Sequence, residues 1–174
     1  VAVISKNDSH LFIGGYVDIQ AFYAFMAGIC FTLVGLWWNV VKSKPRWKED
    51  ATLRKLALGV YLSFLIPGLM SMAAQIGIEN PLIWRLSFVV ASVLGIIYTS
   101  RISARTRKAI PNGKFHSKRW GILVLYVLIL FFAVIPGFSQ FLGLKALTLE
   151  GLLVIGLLLI GHGLTWEFLM EMPD

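Results

Sequence analysis

Residues 99–120 read TSRISARTRKAIPNGKFHSKRW, and this stretch decides how the rest of the chain is disposed. It carries seven Lys or Arg (Arg101, Arg105, Arg107, Lys108, Lys114, Lys118 and Arg119) and no acidic residue. On both sides the sequence turns apolar for about 20 residues, a run that crosses a hydrocarbon core of about 30 Å at 1.5 Å per helical residue. A basic segment between two such runs is a loop held on one face of a bilayer.

Composition agrees. Of the 174 residues 57% are hydrophobic and only 14% charged, and the mean hydropathy is +0.77. A soluble domain of this size has too little polar side chain to cover that apolar content, whereas lipid solvates it directly. The single cysteine, Cys30, lies in an apolar run, which excludes a disulfide framework and a cysteine-based metal site. Residues 1–20 are of mixed polarity and lack the charged start, apolar core and small-residue cleavage site of a signal peptide.

Working outward from the basic stretch, the expected fold class is all-α: a polytopic integral membrane protein of five transmembrane helices in one membrane domain, residues 1–174. The expected spans are 21–41, 56–75, 82–100, 120–140 and 151–170. Ala24, Gly28 and Gly35 leave one side of the first span smooth for close packing, and Trp37 and Trp38 are expected at headgroup level. Pro67 and Pro136 each remove a backbone donor and are expected to kink the second and fourth spans. Residues 141–150 read as a semi-apolar connection. A helical continuation of the third span through Arg107, stopped by Pro111-Asn112-Gly113, fits the middle of the basic stretch.

Charge then sets orientation. A second basic loop, residues 42–55, holds six Lys or Arg, so the two loops together hold thirteen of the sixteen. Two spans separate the loops, which places them on the same side. The positive-inside rule makes that side cytoplasmic, with the N-terminus outside and, for five spans, the C-terminus inside. The two hairpins also resemble each other. Ala24-x-x-x-Gly28, a basic loop and Ile66-Pro67-Gly68 are matched by Ala91-x-x-x-Gly95, a basic loop and Ile135-Pro136-Gly137. Gly28 to Pro67 is 39 positions and Gly95 to Pro136 is 41. A parallel duplication of a two-helix hairpin, plus one extra helix, would produce this pattern, as would chance among the small residues common in such helices.

Few residues carry chemistry. His162 stands near the middle of the fifth span, flanked by Gly161 and Gly163. An ionisable group at that depth is costly and marks a proton relay or ligand contact, although polar membrane residues more commonly bond a neighbouring helix. Glu167, the second ligand or proton-relay candidate, is five residues on, about 140° around the helix, so the two do not form a dyad on one face. Nearer the interface, it more simply reaches water or pairs with a Lys or Arg of the basic loops. Arg85 lies a turn inside its span and either reaches the headgroups or pairs with Glu79 or Glu150. No Glu-Glu pair with paired histidines, no Gly-x-Ser-Gly nucleophile and no second membrane histidine for haem ligation is present. No metal and no cofactor other than bound lipid is expected.

These features lead to one expectation and one alternative. The expectation is a non-enzymatic membrane subunit that anchors or assembles a larger complex. Its partners are membrane lipids, other membrane subunits or further copies of itself, and an acidic cytoplasmic protein. Arg101, Arg105, Arg107, Lys108, Lys114, Lys118 and Arg119 supply the contact surface, each Lys or Arg near anionic headgroups contributing about 1 kcal/mol. Nucleic acid is disfavoured, because only Phe115 and Trp120 could stack on bases. The alternative is a small oligomeric channel or transporter with a polar site around His162.

Overall fold

Aspartates set two of the helix starts. In the computed structural model, which describes residues 18–109 and 115–171, Asp18 accepts hydrogen bonds from the amides of Gln20 (2.9 Å) and Ala21 (3.2 Å) and opens helix α1, Ile19–Ser43. Asp50 does the same for α3, Ala51–Ile76, accepting from Thr52 (2.6 Å) and Leu53 (3.1 Å). Each carboxylate satisfies amides that a helix start leaves without intrahelical acceptors. Between them lies the short helix α2, Pro45–Glu49. The chain continues as α4 (Pro81–Ala109), α5 (Phe115–Val134), a 3₁₀ turn (Pro136–Leu142) and α6 (Ala146–Glu171), with no strand among the described residues.

Among the described residues, four helical stretches are long and apolar enough to cross a membrane: Ile19–Ser43, Ala51–Ile76, Pro81–Arg101 and Ala146–Met170. The architecture is that of a helical membrane protein. The remaining apolar helix, Trp120–Val134, is shorter, and the expected span 120–140 is not continuous. Proline explains the break. Ile135 leaves the helix, Pro136 begins the 3₁₀ turn, and Gly143 reverses the chain at φ +67°. Pro67 has a different effect: α3 stays helical on both sides of it, with the ring buried in the packing.

Helices α3, α4, α5 and α6 form a ring in which each packs on its two neighbours, and α1 lies outside it along α3, also touching α6. Close contacts depend on missing side chains. A Cβ on Gly68 would stand 3.0 Å from Cys30 Cβ, joining α3 to α1, and one on Gly161 would stand 3.0 Å from Ser63 Oγ, joining α6 to α3. The tightest is Gly95 of α4, where a Cβ would fall 2.5 Å from the Tyr126 ring of α5. Gly28 and Gly35, by contrast, face open space. The smooth side of α1 points away from the bundle. The matched landmarks of the two hairpins therefore have different surroundings: Gly28 is open and Gly95 covered, Pro67 is within a helix and Pro136 follows one.

The bundle has two ends. At the basic end, Trp37 is buried, donating its indole N–H to the Ala57 carbonyl at 3.0 Å, while Trp38 is exposed. The first basic loop is not simply a solvated connection, because α2 folds Trp47 against Trp37 and Phe168 with ring centroids 5.9 and 4.7 Å away. At the other end, here the turn end, α1 begins, α3 turns into α4 through Gly77, and the 3₁₀ turn leads into α6.

Candidate functional site

The residues singled out by sequence do not converge. His162 lies on the exposed side of α6, in register with exposed Leu159, Trp166 and Leu169, and its ring centroid is 6.4 Å from that of Phe64. The imidazole is about 5 Å along the axis from the midpoint of α6, taking 1.5 Å per residue. Glu167 is half-buried nearer the basic end of the same helix. Arg101 is exposed. The side chains of Arg105, Arg107, Lys108, Lys118 and Arg119, and Lys114 altogether, lie outside the described residues. The helix beneath the first three is described, however, since α4 runs on to Ala109.

A cleft of about 70 Å³ opens between α3 and α4 toward the basic end, lined by Ser63, Tyr98, Thr99 and Tyr126 among apolar side chains. It has room for a few waters or a short stretch of acyl chain. Tyr98 donates its hydroxyl to the Lys55 carbonyl at 3.3 Å, tying α4 to the start of α3 beside exposed Arg54 and Lys55. The amides of Leu53 and Thr52 hold the nearby Asp50 carboxyl below its ordinary value of 3.8.

The turn end corrects two readings. Arg85 pairs with neither Glu79 nor Glu150: its Nε donates to the Ala133 carbonyl and its Nη2 to that of Val134, both at 3.0 Å. Helix α5 stops at Val134, so these carbonyls fall in the last turn, which has no intrahelical donors. The guanidinium supplies two donors in one plane. Glu150, in turn, is not at the surface. Helix α6 begins at Ala146 rather than Gly151, which carries Glu150 a full turn inside the bundle. Its side chain is 0% exposed, and neither carboxyl oxygen accepts a hydrogen bond.

Glu150 lies beside Tyr23 of α1. The Tyr23 hydroxyl donates to the Leu147 carbonyl at 2.7 Å, and a Cβ on the next residue, Gly151, would stand 3.4 Å from that hydroxyl and 2.8 Å from the Phe22 ring. Tyr23 packs edge-on to Phe88, and Phe88 to Trp84, so aromatic rings of α1 and α4 line this region. The sequence carried one signal for this site, a Glu with no other charged residue for sixteen positions after it in a mostly apolar 26-residue helix. Reading residues 141–150 as a connection concealed it.

No group of three or more His, Cys, Asp or Glu capable of holding a metal ion occurs among the described residues. No protein-family model, curated protein or solved structure matches the chain.

Proposed function

We propose that the chain is a non-enzymatic integral membrane subunit that anchors or assembles a larger membrane complex through its lateral faces, its basic end contacting anionic lipid or an acidic partner protein. The observation that carries this reading is the exposed position of His162. An imidazole facing hydrocarbon near mid-span is costly, and a neighbouring protein surface over Leu159, His162 and Trp166 removes that cost. In this reading α5 and its 3₁₀ extension complete a fifth crossing, the two basic loops face the cytoplasm, and the N-terminus lies outside. The small-residue side of α1 and the two-hairpin pattern fit a chain adapted to packing within the membrane.

Extraction from its native membrane in a mild detergent, followed by mass measurement of the intact species, tests the proposal. The expected species is heavier than the 19.4 kDa chain and cross-links through positions on the His162 face. A solitary chain, with cross-links only to lipid, refutes it.

The same exposure favours one alternative, an oligomeric channel in which His162 lines a path between copies. Reconstituted chain would then conduct ions, and His162→Ala would reduce the flux. Unchanged flux removes that residue from the path.

A further inference from the structure

We propose that Glu150 is a proton-binding site at the turn end of the bundle: a carboxylic acid that holds its proton at neutral pH between α1 and α6. The inference rests on geometry. Glu150 is fully buried, about 6 Å along α6 from its first residue, and both oxygens lack a hydrogen-bond partner. An ionised carboxylate in such a place needs a donor or a cation, since burying an uncompensated charge is prohibitive. A protonated carboxyl needs far less.

Among the described residues no cation and no donor compensates the carboxyl: the buried hydroxyls of Ser71 on α3 and Ser92 on α4 have no hydrogen-bond partner and so do not bond it, and the charged and titratable groups are engaged elsewhere. From α1 the facing titratable group is Tyr23, whose hydroxyl proton is directed to the Leu147 carbonyl. From α4 the only charged group in the same half is Arg85, and its fork is on the Ala133 and Val134 carbonyls. The facing halves of α3 (residues 64–76) and α5 (residues 128–134), and the 3₁₀ turn, contain no titratable side chain. On the α6 segment itself, Lys145 is exposed, one residue before the helix begins. A metal cation is disfavoured by ligand count. Glu150 belongs to no group of three or more His, Cys, Asp or Glu among the described residues, whereas Ca²⁺ requires six to eight oxygens and Mg²⁺ an octahedral set.

A depression lined by Ser139, Gln140, Lys145 and Ala146 lies over the start of α6, one helical turn from Glu150. Proton release would leave a charge beneath Phe22 and Tyr23, so it requires water to enter the α1–α6 seam. Acidic groups at this depth are the usual elements of proton relays in membrane proteins. The proposal stands independently of the complex-subunit reading.

Infrared spectroscopy of the full-length chain in lipid nanodiscs tests it. The expected result at pH 7 is a carbonyl stretch of a protonated carboxylic acid that shifts when the chain carries ¹³C-labelled glutamate, an assignment that needs no variant. The band is lost in Glu150→Gln and retained in Tyr23→Phe, whose hydroxyl does not serve the carboxyl. By potentiometric titration, wild type binds one more proton per chain at pH 7 than Glu150→Gln. Absence of the labelled-glutamate band at pH 7 overturns the proposal, because Glu150 is then ionised. A band abolished by sodium at constant pH also overturns it, in favour of a cation site. Failure of the proposed complex to appear would leave these spectra unchanged.

Discussion

Arg85 offers the most direct test of the packing. Arg85→Met keeps an unbranched stem of similar reach and removes the guanidinium, leaving the Ala133 and Val134 carbonyls without the donors that end α5. Hydrogen bonds involving a charged group contribute about 1.5–3 kcal/mol each. Arg85 is half-buried, so the lower figure applies to each of its two bonds, giving a loss of about 3 kcal/mol. Arg85→Lys keeps the charge but replaces the planar fork with one ammonium group, and recovers about half of that loss. Reversible unfolding in mixed micelles on addition of SDS, followed by tryptophan fluorescence, measures both. An Arg85→Met protein within about 0.5 kcal/mol of wild type would refute the capping role. The cycle with Glu150→Gln adds a second check. Arg85 and Glu150 share no hydrogen-bond partner, so the two changes should add to within about 0.5 kcal/mol; a larger coupling would restore the ion pair that the structure excludes.

Three further outcomes follow from the same packing. Gly95→Ala places a Cβ against the Tyr126 ring and should destabilise by about 1–3 kcal/mol in the same assay, with Tyr126→Leu in that background restoring part of the loss. Trp37→Phe should cost about 1 kcal/mol more than Trp47→Phe, because both lose an indole but only Trp37 donates to a carbonyl, and equal costs would refute that bond. The Asp50 cap predicts an acid dependence with a definite sign. Its folded value is lowered, so the stabilisation is complete above the unfolded value of 3.8 and is lost as pH falls through the lower folded value. Asp50→Asn keeps an acceptor at the cap and should abolish that part of the acid transition.

The sequence by itself determined the membrane class, the approximate positions of the apolar helices and the clustering of charge at one end. All of these follow from local composition: a run of apolar residues long enough to span hydrocarbon is recognisable without knowing its neighbours. Helix boundaries were less legible. The chain gains backbone hydrogen bonds by starting α6 at Ala146, and nothing in the pattern Lys145-Ala146-Leu147-Thr148 distinguishes that start from a connection.

What the tertiary structure decided is which side of each helix faces protein and which faces out. In lipid both sides are apolar, so the periodicity that orients a helix in a soluble protein is nearly absent. That is why Gly28 and Gly95, with the same local pattern, end up in open space and beneath an aromatic ring. For the same reason His162, which sequence marked as the polar site, lies on the exposed side, while Glu150, taken for a surface residue, is fully buried. The depth of a polar residue can be read from its place along the chain. Its exposure depends on the rotation of the helix, and only packing against the other helices sets that.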